Sequence, residues 1–541
     1  MNKLRIGLVL DSFRVPAWKH ELIRRVASEG HGEIVAILIS DPPKPVEQFL
    51  QPLLSPRYFL YECLRKFELK RFRPRPDAFK IVDLSGLLQQ IPVIQLTGGD
   101  DGGKTATQLK AFRPDLLVYL ASGPCPSRLL DTSPHGVWTI ENATVNGSHL
   151  ALKGFWEVLH SLSTTQISLV RLGRHEGQRE VLFNSFSATD RQSVYSTRSR
   201  SHWKASSFLP RELRALHELG SSGLVRRAER FEFVPPPFPP LAPTNLAMFC
   251  PLLTHLWGLV ARKFQRLLFF DQWILLFSLD DGKGMDLTRY RKIVPPKNVV
   301  WADPQLIERD GKFFIFLEEC PIRPKKGRIS VMVMDKDGNW EQPRTIIERP
   351  YHLSYPFVFE WNGTLYMIPE SSANKTIELY RCKSFPYEWE FEKNLMVHVD
   401  AVDTTLIEHG GKWWLFASIR ENEGYPNWEE LFLFSSDSPL SEAWKPHPLN
   451  PIISDVRRAR PAGPIFSTGG ELYRPSQDCS ERYGYGLRIN RIRRLTDEEY
   501  NEEETAFIEP AWEKKIGAVH TYGRSGNLTI LDALYRRSRR W

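Results

Sequence analysis

The feature that most constrains this 541-residue chain is a hairpin phrase that recurs five times in its second half. The copies are WADPQLIERDGKFFIFLEE, SYPFVFEWNGTLYMIPES, AVDTTLIEHGGKWWLFAS, ARPAGPIFSTGGELYRPSQD and GAVHTYGRSGNLTILDAL. Each joins an alternating or aromatic-rich strand to a second strong strand through a turn containing glycine, which is the hairpin signal. The copies recur roughly every 50–60 residues, the period of four-stranded propeller blades. Five blades enclose a narrow axial channel, so the polar residue that each copy carries at the same end is where function is to be sought. The reading predicts a five-bladed β-propeller over residues 271–541, with DQWILLFSLDD supplying the strand that closes the ring.

The first half has a different grammar. LRIGLVLDS, GEIVAILIS, IPVIQL and PDLLVYLAS are continuous apolar runs separated by helical stretches, the pattern of a parallel sheet covered on both faces. The predicted class is therefore multidomain, α/β followed by all-β. An α/β domain spans 1–233, a proline-rich linker and connecting helix span 234–270, and the propeller spans 271–541. Asn245 to Phe270 is apolar but interrupted by Thr254, His255, Arg262, Lys263 and Arg266, so it falls short of the ~18 apolar residues of a membrane span. It is expected to pack between domains, with a peripheral membrane contact through 245–270 as the alternative.

A formal charge of +8 on so long a chain reads as solubility, and no nucleic-acid partner is expected. The six cysteines form no C-x-x-C pair, which leaves zinc ribbons and redox motifs unsupported; neither a metal nor a cofactor is expected. Sparse cysteines suit a reducing compartment, and the N-terminus runs straight into a strand without a long apolar leader, so the expected location is cytoplasmic, including membrane-associated. GGDDGGKT, Gly98 to Thr105, fits G-x-x-x-x-G-K-[ST], but Asp100 and Asp101 would repel phosphates, and the stretch reads as a glycine-rich connection. His149, His160 and His175 read as ordinary loop histidines.

Between Arg113 and Leu172, the PD-strand, the SRLLDTSPHGV passage and the TTQISLVRL strand resemble the N-terminal domain of the methionyl-tRNA and amino-sugar formyltransferases. The resemblance implies a Rossmann-like formyltransferase fold over about the first 200 residues. The family's chemistry rests on an Asn-x-His pair after the G-V strand and a later Asp; here Thr139 and Glu141 stand at the pair's positions and the later loop has no aspartate. The implied domain is catalytically degenerate. Active N-formyl transfer to an amino-sugar nucleotide, with 10-formyltetrahydrofolate as cofactor, is the alternative.

At the inner-strand starts of the repeat stand Asp303, Tyr355, Asp403, Arg460 and His520. A hairpin returns the end of its second strand to the same mouth, bringing Glu318 or Glu319, Glu370, and Arg474 with Gln477 and Asp478. Carboxylates bind sugar hydroxyls, aromatics cover sugar faces, paired acids suit glycosidic chemistry, and arginines suit an anionic group. WADPQLIE, HLSYPFVFEWNGTLYMIPES, VDTTLIEHGGKWWLFAS, the run from NPIISDVRRARPAGPIF to RYGYGLRINRI, and HTYG resemble the N-terminal domain of plant glucosamine inositolphosphorylceramide transferases, a fold related to furanosidase propellers of glycoside hydrolases. The resemblance implies acids at blade inner strands, matched by Asp303 and Asp403, and a Glu general acid, for which Glu370 is the candidate. The expected function is binding of a sugar, glycan or sugar nucleotide in the propeller mouth, in glycan or glycolipid biosynthesis, with glycosyl transfer or hydrolysis there as the processing step if the propeller turns over. Asp303, Glu370 and Asp403 are the catalytic candidates; Tyr355, Arg460, Arg474, Gln477, Asp478 and His520 are the substrate-binding candidates. A non-catalytic scaffold of a glycan assembly complex is the remaining alternative.

Overall fold

The computed structural model describes residues 2–40, 56–96, 103–140, 154–173, 179–231, 243–279 and 286–539. They form two compact units, Met1–Val260 with Glu421–Tyr425, and Ala261–Arg420 with Pro426–Trp541. Most of the phosphate-loop match, Glu141, His149, His175 and most of the proline cluster lie outside the described residues.

The first unit is built on a seven-stranded sheet. Five parallel strands stand in the spatial order Val93–Leu96, Gly32–Ser40, Leu4–Leu10, Leu116–Tyr119, Val137–Ile140. Thr164–Leu172 and Arg179–Ala188 continue it antiparallel. Two apolar cores, one around Leu8, Leu22 and Leu213 and the other around Leu38, Leu109 and Leu117, cover its faces, which is why the strands read as unbroken Val/Ile/Leu runs.

The helix Asn245–Leu268 runs across the boundary between the two units. Of its residues only Met248 and His255, one heptad apart, are buried. Leu246, Phe249, Leu253, Trp257, Val260, Phe264 and Leu267 recur at three- and four-residue spacing along one stripe that is exposed, Leu246 by 90% and Trp257 by 74%. Among the described residues no helix is long and apolar enough to cross a membrane.

The second unit is a five-bladed β-propeller. The repeated hairpins pair Val299–Arg309 with Lys312–Pro321, Ser354–Trp361 with Thr364–Ser371, Asp400–His409 with Lys412–Arg420, Arg460–Pro461 with Glu471–Asp478, and Ile516–Ser525 with Leu528–Ser538. In the first three, both central turn residues have positive φ: Asp310 and Gly311, Asn362 and Gly363, Gly410 and Gly411. This is the two-residue turn whose twist matches the flanking strands, and it explains the D-G, N-G and G-G pairs. Phe269–Ser278 pairs antiparallel with Leu528–Ser538, so the earliest strand of the unit joins the last hairpin in one blade and closes the ring. Five apolar cores sit between successive blades, for example Phe357, Leu379 and Leu415 between the second and third. Each sheet is therefore buried on both faces.

Candidate functional site

The inner strands share a local irregularity. Register shifts fall between Ala302 and Gln305, Ser354 and Phe357, and Val402 and Thr405. At each shift one residue takes a left-handed conformation: Asp303 (φ 53°), Tyr355 (φ 39°) and Asp403 (φ 51°). Non-glycine residues hold such a φ only where the surroundings impose it, and bulges re-aim the side chain they carry. Pro304 and Pro356 follow two of the three and have no N–H to give a ladder, which favours a bulge at that point.

Two linked networks occupy the axis. In the first, Asp532 accepts hydrogen bonds from the backbone N–H groups of Asp303 (2.8 Å), His520 (3.2 Å) and Thr521 (2.9 Å), and its Oδ1 lies 2.6 Å from His520 Nδ1. Asp303 Oδ1 accepts from the Thr521 hydroxyl (2.9 Å) and lies 3.6 Å from His520 Nε2; Asp303 Oδ2 accepts from Tyr355 N–H (3.3 Å). In the second, Arg460 forks onto both oxygens of Asp403 and donates to Glu370 Oε2 (3.3 Å), while Gln477 donates to Asp403 Oδ2 (2.9 Å). Ser372 donates to the other Glu370 oxygen (2.8 Å). Both Glu370 oxygens thus accept hydrogen bonds.

Burial raises the Asp303 carboxyl to about 6, against the pull of His520 and with Asp403 and Asp532 adding to the rise. Burial also holds Glu318 well above the usual carboxylate range, reinforced by Asp303 and Glu370. His520 is raised, because Asp532 and Asp303 outweigh its burial. Burial thus raises two neighbouring carboxyls at one mouth, and carboxyls shifted in this way are what acid–base chemistry draws on. His352 supports Glu318: its Nδ1 accepts Gly327 N–H (2.8 Å), which leaves the ring proton on Nε2, 3.3 Å from Glu318 Oε1.

The raised Asp303 value has a consequence for stability. A carboxyl whose folded pKa exceeds its unfolded value stabilises the fold fully below the unfolded pKa, and that contribution is lost as pH rises through about 6. The stability gap between the parent and Asp303→Asn should therefore shift in favour of the variant as pH goes from 4.5 to 7.5. Urea unfolding at the two pH values measures it. A pH-independent gap would show that the carboxyl is not raised.

Aromatic residues rim these groups. Trp273 stacks on His520 with ring centroids 4.0 Å apart and planes 13° from parallel. Tyr483 meets His520 edge-on at 5.5 Å, lies 4.9 Å from the Arg460 guanidinium carbon, and contacts Trp428 at 5.6 Å. The loop bearing Tyr483 approaches because Gly484 (φ 61°) sits where any Cβ would press on the His520 ring.

Of the residues singled out in the sequence, Asp303, Asp403, Glu370, Arg460, Gln477 and His520 come together. Tyr355 lies beneath them, fully buried, its hydroxyl bonded to Thr405 (2.8 Å) and accepting Gly463 N–H (2.9 Å). Arg474 and Asp478 do not join the cluster. Arg474 forks onto Glu502, and Asp478 accepts from Arg488 and from Ser480 N–H. Between Glu318 and Glu319 the structure selects Glu318; Glu319 bonds Ser330 (2.7 Å) and lies 3.4 Å from Arg328. Asp532, Trp273, Tyr483 and His352 were not singled out. Asp532 had a signal, as the lone charge in the apolar strand LTILDAL. Two donor sets lie close enough to share a cation, Glu318–Cys320–His352 and Asp303–His520–Asp532. In both, the hydrogen bonds above already engage the imidazole and carboxylate atoms, so we read them as polar networks.

Fold and site together define a five-bladed propeller with a polar, aromatic-rimmed axial mouth. Residues 288–529 match the family model described as glucosamine inositolphosphorylceramide transferase 1, N-terminal. The glucosamine inositolphosphorylceramide transferase 1 of Oryza sativa subsp. japonica is 39% identical over 210 residues, covering 38% of this chain and 28% of the relative. That of Arabidopsis thaliana is 38% identical over 215 residues, covering 39% of this chain and 28% of the relative. The chain thus spans little more than a quarter of the length of these relatives. Among solved structures, it is similar to Zg3597, a family 117 glycoside hydrolase of Zobellia galactanivorans (TM-score 0.32, 13% identity, 49% of this chain and 90% of that one). An exo-1,5-alpha-L-arabinanase from a bovine ruminal metagenomic library is also similar (TM-score 0.32, 17% identity, 46% and 95%).

Proposed function

We propose that the propeller mouth binds a sugar-bearing ligand of glycan or glycolipid assembly, and that Asp303 and Glu318 are the pair equipped to act on it. The observation that carries this reading is the Trp273–Tyr483 rim packed on His520, which lies 3.6 Å from Asp303, one of two carboxyls that burial raises at the mouth. Aromatic faces cover the apolar face of a sugar ring while carboxylates take its hydroxyls. The relatives' name adds the ligand chemistry: glucosamine, and an inositol bearing a phosphorylated ceramide. Asp303 serves as the base, Glu318 as the acid, and Asp403 with Glu370 holds Arg460 toward an anionic group. Glu370 is less suited to the acid role, because both its oxygens already accept hydrogen bonds. For residues 1–233 the reading is a formyltransferase-like fold without that family's chemistry: buried Thr139 stands at the position of the family's Asn, and no observation favours folate-dependent formyl transfer.

Titrating the full chain with hexosamine glycans, sugar nucleotides and inositol phosphates tests the site. A ligand should bind the parent and lose at least about tenfold in affinity in Trp273→Ala, the worth of one good stacking contact. Asp303→Asn should keep binding and abolish any turnover. Unchanged affinity in Trp273→Ala would remove the mouth as the site and leave the scaffold reading.

The exposed stripe of Asn245–Leu268, with Arg262, Lys263 and Arg266 in its last third, fits the surface of an anionic membrane as the place where a glycolipid ligand resides. The full chain should co-sediment with vesicles containing phosphatidylserine, and the double variant Leu253→Asp, Trp257→Asp should not. Retention of binding by the double variant, or its conversion of a dimeric parent to a monomer, would reassign the stripe.

A further inference from the structure

We propose that the first unit carries its own oxyanion-binding site, in the cavity at the carboxyl end of its parallel strands, with Lys19 and Arg198 as the ligands for the anion. This goes beyond the propeller mouth and does not depend on it.

The position follows from the topology. From Leu4–Leu10 the chain moves outward to Gly32–Ser40 and Val93–Leu96, then crosses back to place Leu116–Tyr119 on the other side of Leu4–Leu10. The strand order reverses between those two, and open α/β sheets offer a crevice at such a point, beyond the carboxyl ends of the strands. A cavity of about 170 Å³ occurs there, lined by residues that directly follow or end the strands, Leu120 to Ser122 and Thr139 with Ile140, and by Lys19 and Arg198 from two helices.

Among the described residues its lining carries Lys19 and Arg198 and no carboxylate. The Arg198 side chain makes no hydrogen bond or ion pair with any described residue; its Nε is buried without a partner, and its guanidinium carbon lies 5.2 Å from the Phe79 ring centroid. Lys19 donates from Nζ to Leu120 O (2.6 Å), which uses one of its three N–H bonds. The nearby Asp11 carboxylate is turned to Ser122, accepting its N–H and hydroxyl. Burial lowers the proton affinity of both Lys19 and Arg198, the mark of cations held away from water without a full set of acceptors. Desolvating a guanidinium without an acceptor is costly, and a planar fork beside a point charge matches the oxygens of a phosphate or carboxylate. The cavity accommodates the anionic end of a small ligand, not a nucleotide.

Isothermal titration of the full chain with inorganic pyrophosphate and with citrate tests the site and separates the two sources of oxyanion. At least one should bind with one-to-one stoichiometry and raise the melting temperature. Arg198→Met and Lys19→Met should each weaken it at least tenfold, while Arg24→Met, on the exposed side of the same helix, should leave it unchanged. Because Arg198 lacks a partner, Arg198→Met should melt no lower than the parent in anion-free buffer. Absence of binding by both probes, equal affinity in Arg198→Met and Lys19→Met, or a marked loss of stability or failure to fold in Arg198→Met would each overturn the proposal.

Discussion

Arg460→Met is expected to cost the propeller about 3–5 kcal/mol, the penalty for breaking a buried ion pair from one side. The reason lies in what remains. Asp403 is 0% exposed, and without Arg460 its carboxylate keeps the Gln477 amide and stands beside the Glu370 carboxyl. Burial already raises its carboxyl to about 7 against the opposing pull of Arg460, so the variant's carboxyl will bind a proton more tightly still. A raised folded pKa means stability lost as pH increases. The variant should therefore fall further below the parent at pH 8 than at pH 6. The double variant Asp403→Asn, Arg460→Met removes the stranded charge and should recover most of the loss, since an apolar or neutral replacement of a buried pair is often tolerated. Urea unfolding of the three proteins at both pH values measures this. A parent-like midpoint for Arg460→Met, or a double variant weaker than the single, would contradict the assignment of the pair.

The propeller was legible because its signals are local and repeat. A D-G, N-G or G-G pair between strong strands fixes a turn, and aligning the turns fixes which residue of each copy reaches the axis. Asp303, Tyr355 and Asp403 came from that alignment. Misplaced residues follow from a parity rule that was within reach. Successive strand residues face opposite sides, so Gln477 cannot share a face with Arg474 or Asp478. The structure turns Gln477 to Asp403 and the other two to Glu502 and Arg488. The same rule separates Glu318 from Glu319. Trp273 and Tyr483 were not legible, because their places depend on ring closure and loop course: Trp273 pairs with Leu534 across the seam. What covers the helix Asn245–Leu268 is a further point that sequence does not give. Its sequence shows an apolar stripe, but periodicity alone says nothing of what covers that stripe.

Gly463→Ala is expected to destabilise the propeller by roughly 3–5 kcal/mol, far more than alanine at a hairpin glycine. Two costs combine. Gly463 has φ 131°, a conformation that side-chain-bearing residues rarely adopt, and an added Cβ would run into the carbonyl oxygen of Tyr522. That carbonyl cannot simply retreat, because the Tyr522 N–H donates to Ala462 O at 2.8 Å and stitches the fourth blade to the fifth. Relief by moving Gly463 instead would break its N–H bond to the Tyr355 hydroxyl (2.9 Å), the contact that ties the fourth blade to the second beneath the mouth. Gly363→Ala supplies the comparison: φ is 71° but nothing lies within 4 Å of the added carbon, so only the backbone preference is lost, about 1 kcal/mol. Thermal and urea unfolding of the two variants should separate them clearly, and ligand affinity at the mouth should fall in Gly463→Ala alone. Equal midpoints would mean that the fourth blade tolerates a shift at Gly463, and that the close approach of the blades there does not set the geometry of the axial residues.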